Sequence, residues 1–231
     1  MMGAASDSDN YQPNQATRAT LKNVRLVGVV GVSGAGKTTL IHKTIEKYPT
    51  QFRMVIGTTS RAPRQGETDG IDYNFERVDD MESRIAARDY VQIVHSPMGD
   101  WYATRPEDYS QSGHSLLALF ASVVPEFRAL PFADMVTIGV IPPSFEEWRS
   151  RIAAHRLMPE KLQARMREAQ TSLEFLLDDQ QTYLVTNDDL GRAFNDFMRA
   201  AQGKPQPKAQ QEAAKKVISD LLQNIKKSLK T

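Results

Sequence analysis

Eight residues limit what this chain can fold into more than any other stretch: Gly31-Val32-Ser33-Gly34-Ala35-Gly36-Lys37-Thr38, entered from the apolar run Leu26-Val27-Gly28-Val29-Val30 and left through Thr39-Leu40-Ile41. They fit the pattern Gly, four residues, Gly, Lys, then Ser or Thr, placed between a buried-type strand and an apolar-periodic helix. Gly31, Gly34 and Gly36 allow backbone conformations that a Cβ would forbid, so successive N–H groups can turn inward and cradle phosphate oxygens. Ser33, Ala35 and Thr39 belong to the same cradle. Lys37 is expected to reach the outer phosphates, and Thr38 to bind Mg²⁺ through its hydroxyl. The helix that starts here points the positive end of its dipole at the same place. The loop therefore predicts a phosphate-binding α/β protein.

A chain of 231 residues holds one substantial α/β domain with a lobe or a tail. With 40% hydrophobic and 25% charged residues its composition is that of an ordinary globular protein. No apolar run approaches the ~18 residues a membrane span needs, and the first residues lack a basic region followed by an apolar core. A cytosolic protein is expected. The absence of cysteine excludes disulfides and thiolate metal sites. The net charge is +1, but residues 201–231 hold seven lysines against Glu212 and Asp220, a charge of +5, so residues 1–200 carry −4.

Residues 1–23 are polar and aperiodic and read as a disordered leader. Strands are expected at Arg25–Val30, Phe52–Gly57, Tyr90–His95 and Trp101–Thr104. The apolar runs Ser115–Phe120 and Met135–Ile141 have the signature of strands covered on both faces, and Tyr183–Thr186 reads as a last strand. Helices are expected from Thr38 to Lys47, from Asp79 to Arg88, from a capping box at Ser144 and Glu147 that sets Phe145, Trp148 and Ile152 on one side, from Lys161 to Leu177, and up to Ala201. Strands alternating with helices, the first carrying the loop, imply a parallel sheet with helices on both faces and right-handed crossovers. After the break Gly203-Lys204-Pro205-Gln206-Pro207, residues 211–229 form a basic amphipathic helix. Packing on the domain, pairing with its own copy and contact with an acidic surface are all open to it.

Between the second strand and the Asp79 helix, Thr59-Ser60-Arg61-Ala62-Pro63-Arg64-Gln65-Gly66-Glu67 and Gly70-Ile71-Asp72-Tyr73-Asn74-Phe75 are polar, turn-rich and basic at two fixed points. Arg61 and Arg64 offer planar forks for a phosphate, and Tyr73 and Tyr102 add hydroxyl donors. This stretch resembles the acceptor-binding segment of guanylate kinases. The likeness continues through Trp101-Tyr102-Ala103-Thr104, Ile141-Pro142-Pro143-Ser144, Arg165 and Val185-Thr186-Asn187-Asp188-Asp189-Leu190, covering about residues 24–200. The resemblance implies an ATP- and Mg²⁺-dependent nucleoside-monophosphate kinase built as a P-loop core, a small mixed-sheet acceptor lobe at about 57–108 and a helical lid at about 151–165. It also implies lid arginines at Arg151, Arg156 and Arg165, a place near adenine for Asn187, and base contacts at Gln92 and Thr104.

Three features depart from the family's pattern. Gln92 stands where a carboxylate accepts from guanine N1–H and N2–H₂, and Gly57 stands where a serine contacts the base. Leu117-Ala118-Leu119-Phe120-Ala121 contains none of the acids expected there. Two readings follow: a working kinase whose base preference is relaxed or replaced, and a catalytically weakened domain that binds a nucleotide or a protein. Because transfer depends on clamping phosphates more than on reading the base, the intact Lys37-Thr38 pair argues for the kinase.

Overall fold

The computed structural model describes residues 11–64, 66–96, 99–153 and 159–230. In chain order its elements are α1 (Gln15–Thr20), β1 (Arg25–Val30), α2 (Lys37–Lys47), β2 (Phe52–Met54), β3 (Thr58–Thr59), β4 (Asn74–Phe75), α3 (Val78–Ala87), β5 (Gln92–His95), β6 (Trp101–Thr104), β7 (His114–Ala118), α4 (Val124–Arg128), β8 (Asp134–Ile141), α5 (Phe145–Ala153), α6 (Pro159–Asp178), β9 (Thr182–Thr186), α7 (Leu190–Ala201) and α8 (Lys208–Ser228). Five strands form a parallel sheet in the order β2-β7-β1-β8-β9, and four form a mixed sheet in the order β4-β3-β6-β5. The α/β class and the parallel sheet expected from strand–helix alternation are both present. The strand expected over 52–57 is shorter, because Ile56 and Gly57 carry the chain from the first sheet to the second.

The chain divides into two compact units. One comprises residues up to Leu26, Thr50–Leu117 and Phe127–Asp134. Its mixed sheet pairs β5 with β6 antiparallel, setting Gln92 opposite Thr104 and Ile93 opposite Ala103. Behind the sheet, Met81, Tyr90, Ile93, Trp101 and Ala103 form an apolar cluster on which Tyr11 and Ile85 also pack. Residues 11–23 are therefore not the unstructured leader their composition predicts. Asn14 caps α1 by accepting from the Thr17 N–H at 2.8 Å, and its amide donates to Asp89 Oδ1 at 2.7 Å. Leu21 and Val24 are fully buried. Composition missed this because three or four anchors among polar residues are enough to fasten a short segment onto a preformed surface.

Tyr11 is the tightest of these anchors. Its hydroxyl donates to the Tyr90 carbonyl and accepts from the Tyr90 N–H, both at 3.0 Å, and burial pushes its pKa up to about 12. Tyr11→Phe leaves both backbone groups without a partner. It is expected to lower unfolding stability by about 1–2 kcal/mol in a denaturant titration; an unchanged midpoint would show that water replaces the hydroxyl without loss.

The second unit comprises Val27–Pro49, Ala118–Glu126 and the chain from Met135 onward. Here α2 packs on α7, α7 lies on β9, and α8 packs on α5, α6 and β9. Helix α7 buries Ala193, Phe194, Phe197, Met198, Ala200 and Ala201. Helix α8 buries Ala214, Ile218, Leu221, Leu222 and Ile225, so of the roles its pattern left open, packing on the domain is the one its apolar face fills. Lys226 pairs with Glu174 of α6 at 2.8 Å. Just before α8, the Gln206 side chain bonds both backbone groups of Leu184 in the edge strand β9, standing in for one residue of a further strand. No described helix is long and apolar enough to cross a membrane.

Candidate active site

The glycine loop lies in the second unit. Strand β1 ends at Val30 and the chain turns through Gly31, Gly34 and Gly36, all at positive φ, into α2 at Lys37. Gly31 at φ 140° lies so close to β8 that a Cβ there would stand 2.1 Å from the Val140 carbonyl oxygen. Only glycine fits. Ser33, Gly34, Gly36, Lys37, Thr38, Thr39, Arg151, Asn187, Asp188 and Leu190 line one cavity of about 670 Å³. That volume lies within the range of small-molecule sites.

Lys37 Nζ donates back to the Gly31 carbonyl at 2.5 Å and the Val32 carbonyl at 3.1 Å. Burial pulls its pKa down, and the Glu168 carboxylate on α6 pushes the other way. Arg151 reaches the Asn187 carbonyl at 3.0 Å while its Nε donates to Glu147 at 3.0 Å. Arg165 Nη1 is buried with no hydrogen-bond partner among the described residues. A buried guanidinium nitrogen left unpaired is costly, and an anion would complete it. Arg156 lies outside the described residues.

Asn187 takes a role the sequence did not show. Its Nδ2 donates to the Ala35 carbonyl at 2.8 Å, so one N–H of a side chain that lines the cavity also holds the loop. Ala35 itself is buried and off the cavity wall, contributing through its backbone.

The cluster expected to bind an acceptor phosphate lies in the first unit. Arg61 is clamped two-pronged by Glu67, with Nη1–Oε2 at 2.6 Å and Nη2–Oε1 at 2.7 Å. The guanidinium lies 5.0 Å over the Tyr73 ring and 5.5 Å over Phe75, and Tyr73 meets Tyr102 edge-on at 6.1 Å. Hydrogen bonding to Glu67 raises the Arg61 pKa, and hydrogen bonding to Arg61 lowers that of Glu67 to about 2, so both carry full charge at neutral pH. Glu67 also accepts from the Arg64 N–H at 2.7 Å, which leaves the Arg64 side chain pointing outward and exposed. Arg61, Tyr73 and Tyr102 thus lie together. The organising role of Glu67 was not read from the sequence, where its only signal was a carboxylate six residues after an arginine in a turn-rich segment.

Base contacts are less open than expected. Gln92 is buried, and its Nε2 donates to the carbonyl of its neighbour Ile93. The Thr104 hydroxyl, expected free for a base, is shared with the buried Tyr109 hydroxyl at 2.9 Å. Gly57 leaves room: a Cβ there would meet the Tyr73 ring at 3.4 Å.

A sequence profile described as guanylate kinase covers residues 23–203. The chain belongs to the guanylate kinase family. Guanylate kinase from Myxococcus xanthus is 33% identical over 169 residues, covering 71% of this chain and 79% of that protein. Guanylate kinase 1 of Oryza sativa subsp. japonica is 30% identical over 181 residues; the alignment takes 74% of this chain but spans only 46% of the rice protein. The crystal structure of guanylate kinase from Anaplasma phagocytophilum superposes with a TM-score of 0.57 at 17% identity, covering 80% of this chain and 87% of that one. At that identity the likeness establishes the fold. The guanylate kinase profile ends before α8 begins and starts after α1, so both helices lie outside the matched region.

Proposed function

We propose that this chain transfers the γ-phosphoryl group of ATP to a nucleoside monophosphate, the substrate being GMP as its relatives' names indicate. The observation that carries the reading is the single cavity in which seven of the expected nucleotide contacts and Arg151 converge around a loop whose Gly31 has no room for a Cβ. Phosphoryl transfer needs little covalent help from the protein. An acceptor phosphate oxygen attacks the γ-phosphorus in line as the bond to the ADP oxygen breaks, and positive charge placed along that path does most of the work. Lys37, Arg151 and Arg165 supply charge toward the donor, and Arg61 with Tyr73 and Tyr102 supplies it toward the acceptor.

A glycine-walled cradle with a buried lysine fits a polyphosphate. For Mg²⁺ the chain offers the Thr38 hydroxyl, and among the described residues no group of three or more His, Asp or Glu side chains could hold a metal by itself. The metal would therefore arrive with the nucleotide, whose phosphates supply most of its oxygen ligands and whose charge it helps neutralise. ADP release from ATP and Mg²⁺, measured against a panel of monophosphates, tests the proposal. Turnover dependent on GMP or another monophosphate supports it; a folded protein that turns over none of them refutes it in favour of a binding module.

Gln92 is the residue on which base preference turns. Its Nε2 spends one N–H on the Ile93 carbonyl, which leaves its acceptor oxygen and a single N–H for a base. A carboxylate cannot donate to that carbonyl, would turn away from it, and would accept two charge-assisted bonds from guanine. Gln92→Glu is expected to raise kcat/KM for GMP by about tenfold. An unchanged or lower value would place Gln92 outside the base pocket.

A further inference from the structure

Two side chains from outside the glycine loop bond carbonyls within it. Trp148, one turn into α5 and 1% exposed, donates from Nε1 to the Ser33 carbonyl at 2.8 Å. Asn187, just past β9, donates to the Ala35 carbonyl at 2.8 Å and is itself tied down through its own N–H to the Ile141 carbonyl at 2.8 Å. Two carbonyls, two residues apart, are therefore drawn outward by donors on separate elements. No peptide bond in the described chain is cis, and in a trans peptide the carbonyl and the following N–H point in opposite directions. Holding Ser33 C=O outward turns Gly34 N–H inward. Holding Ala35 C=O outward turns Gly36 N–H inward. Gly34 and Gly36 both line the cavity.

We infer that Trp148 is a positioning residue whose indole N–H sets the Gly34 amide toward the nucleotide's phosphates, with Asn187 doing the same for Gly36. The inference rests on the cavity being the nucleotide site. Its anchorage is firm on both sides. Helix α5 opens on the Ser144 cap, where the Glu147 N–H reaches Ser144 Oγ at 3.1 Å, and a Cβ on Gly34 would stand 3.1 Å from Ile152 of the same helix. Trp148 therefore does more than fill space. A leucine or phenylalanine could fill the same hollow, but neither could bond a carbonyl, and without that bond the peptide between Ser33 and Gly34 is free to rotate and turn its N–H away from the phosphates.

The experiment compares ATP·Mg²⁺ affinity by titration calorimetry, without acceptor, among the wild type, Trp148→Phe, and a protein carrying β-(3-benzothienyl)alanine at position 148. That analogue keeps the indole's outline with sulfur in place of the N–H, so it remains informative where Trp148→Phe loosens the fold. The expected result is about tenfold weaker ATP binding in both variants, with the analogue melting at the wild-type temperature and its KM for the monophosphate unchanged. Wild-type ATP affinity in the analogue protein overturns the inference, as does an equal loss toward ATP and monophosphate, which would mark general loosening. A wild type that binds ATP yet phosphorylates no monophosphate refutes the proposed reaction and leaves this inference to be decided by the affinities. A wild type that binds no ATP refutes both.

Discussion

Replacing Lys37 by alanine is expected to lower kcat/KM by about 10³-fold, with no more than a few degrees lost in melting temperature. The ammonium group already sits inside the loop, bonded to the Gly31 and Val32 carbonyls and facing Glu168 across the site. It is a cation parked at the mouth of an anion cradle, and phosphates that enter exchange those two neutral carbonyls for charged oxygens. Charge that builds up on the transferring group is met by a donor already in place, which is where electrostatic catalysis gains most. Lys37→Arg is not expected to restore the rate, since a planar fork cannot occupy the space of a compact ammonium. ADP release, read alongside a thermal melt, checks both parts. A loss of less than tenfold would mean that Lys37 holds the loop and plays no part in the transfer.

The second large effect is expected at Arg61. Arg61→Lys should raise KM for the monophosphate by about 10²-fold and leave ATP affinity at the wild-type value. Both prongs of the guanidinium bond Glu67 while its flat face covers Tyr73 and Phe75, and lysine can reproduce neither the fork nor the stack. The Arg61 Nε is buried and has no hydrogen-bond partner among the described residues. In the proposed reaction the acceptor phosphate meets a cation already oriented by Glu67. Initial rates at varied monophosphate and saturating ATP test this, with calorimetric ATP binding as the control. If ATP affinity falls in step, Arg61 acts on the whole fold and the acceptor assignment fails.

Local pattern carried much of the structure. Strand β1, the glycine loop and α2 follow from apolar continuity, three glycines and helical periodicity within some twenty residues, so nothing distant was needed to read them. The Ser144 cap and strands β6 and β8 were legible for the same reason. What escaped were interactions between residues far apart in sequence. Tyr11 meets Tyr90 across 79 positions, Trp148 meets Ser33 across 115, and Asn187 meets Ala35 across 152. Each of these side chains has an ordinary local reading: a tyrosine in a polar leader, a tryptophan on an amphipathic stripe, an asparagine in a turn. No periodicity distinguishes a buried tryptophan that only packs from one that also bonds a carbonyl.

By itself, then, the sequence determined that a phosphate-binding loop opens a parallel α/β fold and that an arginine-rich segment follows it, because glycine spacing, hydrophobic period and charge act over short distances along the chain. The tertiary structure alone decided how that loop is held. Which carbonyls are pulled outward, which amides consequently face the cavity, and which carboxylate aligns Arg61 depend on side chains that chain folding brings together. A peptide plane takes its orientation from its partners in space, and local sequence leaves those partners unspecified.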